Sequence, residues 1–108
     1  MKTDSGLEWL MKWYQSHFNG DWEHEHSISI GTLSNPGWRV DIDLRQTCLD
    51  GVTYELSDLN TSETDWFYIK IENNLFKGRA DPSRLLFLVN MFRKLVEEHA
   101  DDKKTTDN

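Results

Sequence analysis

The sequence predicts an α+β domain, an antiparallel sheet of four or five strands flanked by an N-terminal and a C-terminal helix. Three observations carry this. Apolar residues recur at helical spacing near both ends of the chain, they alternate singly through the middle, and turn residues divide the middle at short intervals. The chain has 108 residues, enough for one domain with its own core. The boundaries expected are 1–99 for that domain and 100–108 for a polar, unstructured tail.

The elements follow in order. Ser5-Gly6-Leu7-Glu8 fits a capping box, and Leu7, Leu10, Met11, Tyr14 and Phe18 follow as one stripe, so residues 6–18 read as a helix closed by Asn19-Gly20. Trp9 and Trp13 lie about 220° round from Leu7, which implies either an unusually wide buried face, the favoured reading, or a second contact surface. Residues 24–33 alternate, with His24, His26, Ile28 and Ile30 on one side, and predict a strand. Asn35-Pro36-Gly37 is a turn. Val40, Ile42 and Leu44 alternate with Arg39, Asp41, Asp43 and Arg45 in a second strand, and Val52, Tyr54 and Leu56 mark a third after Asp50-Gly51. Asn60 to Thr64 reads as a polar loop. Residues 65–72 give a fourth strand, and Leu75 to Gly78 a short fifth at the sheet edge. Asp81-Pro82 predicts an N-cap and first helical residue, and Leu85, Leu88, Val89, Phe92 and Val96 carry that helix to about Glu98. Trp22 and Trp38 each follow a turn and are assigned to closing the core.

With both helices on the face of Ile28, Ile30, Val40, Ile42, Val52, Tyr54, Phe67 and Ile69, the opposite face carries Glu23, Glu25, Asp41, Asp43, Glu55, Trp66 and Tyr68. Charge supports a contact role there. The chain carries a net charge of -7, and residues 21–65 hold ten acids against Arg39 and Arg45 alone. Such a field disfavours nucleic acid and favours a basic partner. The longest apolar run, Leu85 to Val89, is far short of the roughly 20 residues of a membrane span. The first residues, with no apolar stretch after Lys2, are not expected to be a signal sequence, and the single cysteine, Cys48, allows no intrachain disulfide; a cytoplasmic location is expected.

Signals for catalysis are weak. His24 and His26 would point the same way from a strand, as a metal site needs, but no third ligand is fixed by spacing. Asp41 and Asp43 could pair as acid and base, although Arg39 and Arg45 beside them favour an ionic ladder. There is no glycine-rich phosphate loop and no serine elbow. No cofactor is expected.

Taken together, Leu7-Glu8-Trp9-Leu10, Trp13-Tyr14, Gly20-Asp21-Trp22-Glu23-His24, Asn35-Pro36-Gly37-Trp38, Ile42-Asp43-Leu44 and Asp65-Trp66 resemble the immunity protein 53 family over roughly residues 7–95. The loop Phe76 to Asp81 is less glycine-rich than the family pattern. The resemblance implies a bacterial protein that binds and neutralises a polymorphic toxin, and no catalyst. A nuclease, basic because it binds phosphate, would suit the acidic face. On this reading Glu23, Glu25, Asp41, Asp43 and Glu55 supply the field, and Trp66 and Tyr68 anchor the contact. Two alternatives stay open at this point: a small metal-binding or hydrolytic enzyme using His24 and His26, and a homodimeric scaffold domain.

Overall fold

Alternation through the middle of the chain builds one antiparallel sheet, and the terminal apolar stripes lay two helices on it. The structure, a computed structural model, describes residues 6–58 and 65–106, with side chains as far as residue 100. The elements are α1 (Gly6–Ser16), α2 (Trp22–Glu25), β1 (Ile28–Leu33), β2 (Gly37–Asp43), β3 (Tyr54–Asp58), β4 (Phe67–Glu72), β5 (Leu75–Ala80) and α3 (Leu85–Thr106). Ser5, the loop Asn60–Thr64 and residues 107–108 lie outside the described residues.

The sheet order is β1-β2-β5-β4-β3, so β5 is a central strand and not the expected edge. Its alternation explains the place. Phe76, Gly78 and Ala80 are buried while Leu75, Lys77 and Arg79 turn the other way. The inner side is small where α3 crosses, and a Cβ on Gly78 would come within 3.1 Å of Leu88. Asn73 and Asn74, both at positive φ (54° and 62°), make the β4–β5 turn, the conformation a two-residue hairpin with matching twist requires. The connection from β2 to β3 crosses one end of the sheet. It buries Leu44, Leu49 and Thr47, whose hydroxyl donates to the Leu44 carbonyl at 2.7 Å.

Both terminal helices lie on the face of Val40, Ile42, Ile69, Ile71 and Phe76, with Leu88, Val89, Phe92, Leu95 and Val96 of α3 fully or nearly buried over them. The first helix sits rotated from the predicted stripe. Gly6, Leu10 and Trp13 are buried, whereas Leu7, Met11 and Phe18 are 38%, 63% and 48% exposed. Trp9 and Trp13 both meet Phe92 edge-on, at 6.0 and 5.0 Å between centroids. Two indoles bury more area than a leucine and a methionine, and the helix turns to bury them.

Three further expectations are corrected. Residues 24–27 are not strand, because α2 occupies 22–25 and β1 starts at Ile28. The Asn19 side chain accepts the Asp21 and Trp22 amides at 2.9 and 2.8 Å, and Glu23 accepts those of Asn19 and Gly20. These local bonds divert the backbone from pairing. Asp81 is not the N-cap of α3: the Arg84 carbonyl accepts the first helical amide, from Leu88. Asp81-Pro82-Ser83-Arg84 is instead a turn, closed by the Asp81 carboxylate on the Ser83 amide at 2.8 Å. The α3 backbone continues past Glu98 to Thr106. Among the described residues, no helix is long and apolar enough to cross a membrane.

Candidate functional site: the open sheet face

With both terminal helices on one side, no element among the described residues covers the outer side of the five strands. Register fixes what stands there. One row runs Ser29, Asp41, Lys77, Lys70, Glu55 from β1 to β3, and the next runs Gly31, Arg39, Arg79, Tyr68, Ser57. Strand alternation thus puts Asp41, Glu55 and Tyr68 on one face, with Lys77 and Lys70 between the two acids. Trp66, two residues before Tyr68, lies at one end of this face. Its ring edge would stand 3.2 Å from a Cβ on Gly37, and Leu33 is beside it.

The acidic character expected of this face is largely spent inside the molecule. Asp41 accepts Arg39 at 2.9 Å on one oxygen and Arg79 at 2.8 Å on the other. The Arg39 guanidinium also lies over Gly31, where a Cβ would collide with it, and donates to Ser29. Asp43, at the end of β2, is held by Arg45 at 2.8 Å and His26 at 2.9 Å. Desolvation pushes its carboxyl up, but the hydrogen bonds from Arg45 and His26 outweigh this and hold it well below the usual carboxylate range. Glu23 is off the face altogether. Its own amide, and then those of Asn19 and Gly20, keep its carboxyl low against some desolvation. Glu25 is exposed on α2, near Arg45. Glu55 stands at the β3 edge, beside an open depression lined by Thr53, Tyr54, Lys70, Ile71 and Glu72.

Sequence reasoning missed the cations. Arg39, Lys70, Lys77 and Arg79 occupy the three central strands of the open face. Lys70 reaches Glu72 at 3.2 Å, and this bond raises its amine above the ordinary value. The signal was the basic balance of residues 66–98, which becomes a face property once β5 lies between β2 and β4.

The two histidines do not converge. His24 is exposed on α2, while His26 is 7% exposed, next to Trp22. Because an ionised carboxylate only accepts, His26 Nδ1 carries the proton that Asp43 receives. Among the described residues, no group of three or more His, Cys, Asp or Glu side chains could hold a metal ion. Trp22 and Trp38 sit at opposite ends of the core, donating to the carbonyls of Arg45 and Pro82 at 3.2 and 2.9 Å.

Fold and face together define a small α+β sheet domain with one side closed by helices and the other open for contact. The family model for immunity protein 53 matches residues 7–97, and the chain belongs to that family. Among curated proteins and among solved structures, none matches the chain.

Proposed function

We propose that this protein neutralises a cognate bacterial toxin domain by stoichiometric binding in the cytoplasm, acting by occupancy and not by catalysis. The observation that carries the reading is the family match over residues 7–97. The open sheet face supports it, because a rigid surface with Tyr68 and Trp66 at its centre and end suits a hot-spot contact. In this reading Trp66 and Tyr68 anchor the toxin, with Glu25 and Glu55 at the rim. Asp41 and Asp43 act by fixing Arg39, Arg79 and Arg45, and Glu23 acts by holding α2. A net charge of -7 steers a basic toxin domain from beyond contact range.

The test is survival. The C-terminal domain encoded by the neighbouring open reading frame is expressed in a test bacterium with and without this protein. Killing alone and survival together are expected. Killing that is equal in both cultures would reject the reading for that pair.

A further inference from the structure

The centre of the open face breaks a sheet rule twice. Arg39 stands directly opposite Arg79 across β2 and β5, and Lys77 directly opposite Lys70 across β5 and β4. Like charges facing each other across a sheet are destabilising. One carboxylate, Asp41, relieves the first pair by bridging both guanidiniums. Among the described residues no carboxylate bridges the second, although an acid stands across the outer strand from each lysine, Asp41 opposite Lys77 and Glu55 opposite Lys70. Lys70 takes Glu72 on its own strand and Asp41 is taken by its two arginines, so among the described residues Lys77 has no ion-pair partner. Two like-charge pairs on the three central strands of the sheet are a local conflict of the kind that marks functional surface. The arrangement is also pre-set. Arg39 and Arg79 are held by Asp41 and Lys70 by Glu72, so the frame around Lys77 loses little freedom on binding.

We infer that this patch, centred on Lys77 and framed by Lys70, Arg39 and Arg79, receives a carboxylate-bearing element of the partner protein, with Tyr68 packing beside it. For the partner's identity this rests on the immunity reading. Two ranges of electrostatics are then separate. The overall negative charge draws in a basic domain, and the local cationic patch sets which part of it docks and in what orientation. A polyphosphate chain fits less well, because the same net charge repels it along its whole length.

The test has two arms. In the first, an inactive form of the toxin domain from the survival assay is titrated against wild type, Lys70→Glu/Lys77→Glu and Glu25→Gln/Glu55→Gln. Loss of at least about tenfold in affinity is expected for the lysine reversal, and less than about threefold for the rim change. Lys70→Gln/Lys77→Gln accompanies them as a milder variant, expected to weaken binding in the same direction should the reversal cost folding. If wild type binds and protects while both lysine variants bind as tightly or more tightly, the inference is overturned and the immunity reading stands. In the second arm, amide shifts are mapped on the full chain with an oligoglutamate peptide, an oligolysine peptide and a short oligonucleotide. Shifts at Tyr68, Lys70, Lys77 and Arg79 with oligoglutamate alone are expected. Shifts there with oligolysine, with the oligonucleotide, or with none of the three would overturn the inference, including when the toxin arm has rejected the immunity reading.

Discussion

Substituting Asp81 by asparagine tests whether one buried carboxylate ties the aromatic end of the open face to the start of α3. Asp81 is fully buried. One oxygen accepts the Ser83 amide and hydroxyl at 2.8 and 2.6 Å. The other accepts the Trp66 amide at 3.0 Å and Arg84 Nε at 2.9 Å. Its own amide donates to the Trp66 carbonyl at 3.1 Å, and Arg84 also reaches Asp65. An asparagine has the same shape but turns one acceptor into a donor. Whichever way the amide lies, its NH2 group faces either the Ser83 amide or the pair from Trp66 and Arg84. An unmet donor in such a place costs about 1–3 kcal/mol, and loss of the charge weakens the bonds that remain. The expected loss is about 2–4 kcal/mol, a large part of the roughly 5–15 kcal/mol that holds a domain together. At roughly 4–8 °C per kcal/mol, Tm falls by about 8–32 °C.

The pH dependence supplies a second reading of the same site. Burial raises the Asp81 carboxyl, but the donors from Ser83, Trp66 and Arg84 outweigh it and leave the group below its ordinary value of 3.8. A carboxyl depressed in the folded state contributes stability above the ordinary value, and loses it as pH falls through the folded value. Wild type therefore weakens on acidification below about pH 4, and Asp81→Asn, with nothing there to titrate, weakens less. Urea unfolding followed by tryptophan fluorescence, at neutral pH and through the acid range, measures both effects. A variant within about 0.5 kcal/mol of wild type at neutral pH, or a gap that fails to narrow in acid, would refute the reasoning.

The remaining predictions concern helix rotation, strand packing and the β2 corner. Met11→Ser should change unfolding free energy by no more than about 0.5 kcal/mol, whereas Trp13→Ala should cost about 3–5 kcal/mol; equal costs in urea melts would mean that the helix presents its other side to the core. Gly37→Ala should lose about 1–3 kcal/mol, since its Cβ would stand 2.5 Å from the Ala80 carbonyl oxygen, and an unchanged melt would show that β2 can shift. Asp43→Asn should cost about 1–3 kcal/mol at neutral pH by weakening the bonds from His26 and Arg45. Because its carboxyl is depressed in the folded state, that cost should shrink as pH falls below the carboxylate range, read from urea midpoints across pH.

Element type was legible wherever local pattern and tertiary need agreed. Val40-Asp41-Ile42 alternates in the sequence and in the sheet, and Leu88, Val89 and Phe92 fall on the buried side of α3 at helical spacing. The departures come where a local pattern has two solutions. In α1, aromatic and aliphatic residues offer two apolar sides, and only the presence of Phe92 opposite selects the tryptophan side. At 22–26, alternation of His24, His26 and Ile28 reads as a strand, but side-chain acceptors from Asn19 and Glu23 favour a turn of helix, and no periodicity argument weighs those bonds.

The charge of the face follows from the same limit, one level up. A sum over consecutive residues measures a field only where neighbours in sequence are neighbours in space. A sheet with a crossover places distant segments side by side. Here β2, from the acidic stretch, lies against β5, from the basic one, so Asp41 is shared by Arg39 and Arg79, 38 residues apart in the case of Arg79. Trp66 and Tyr68 could be placed from parity alone, because a side chain's face depends only on its own strand. Which charges stand side by side on that face depends on strand order, which the alternation does not contain. One feature did bear on that order: Phe76, Gly78 and Ala80 alternate with Lys77 and Arg79, and small residues on an inner side are of use to a strand lying beneath a helix. Read that way, β5 moves from the edge to the centre and carries its two cations with it, and the open face becomes a cationic middle with an acidic rim.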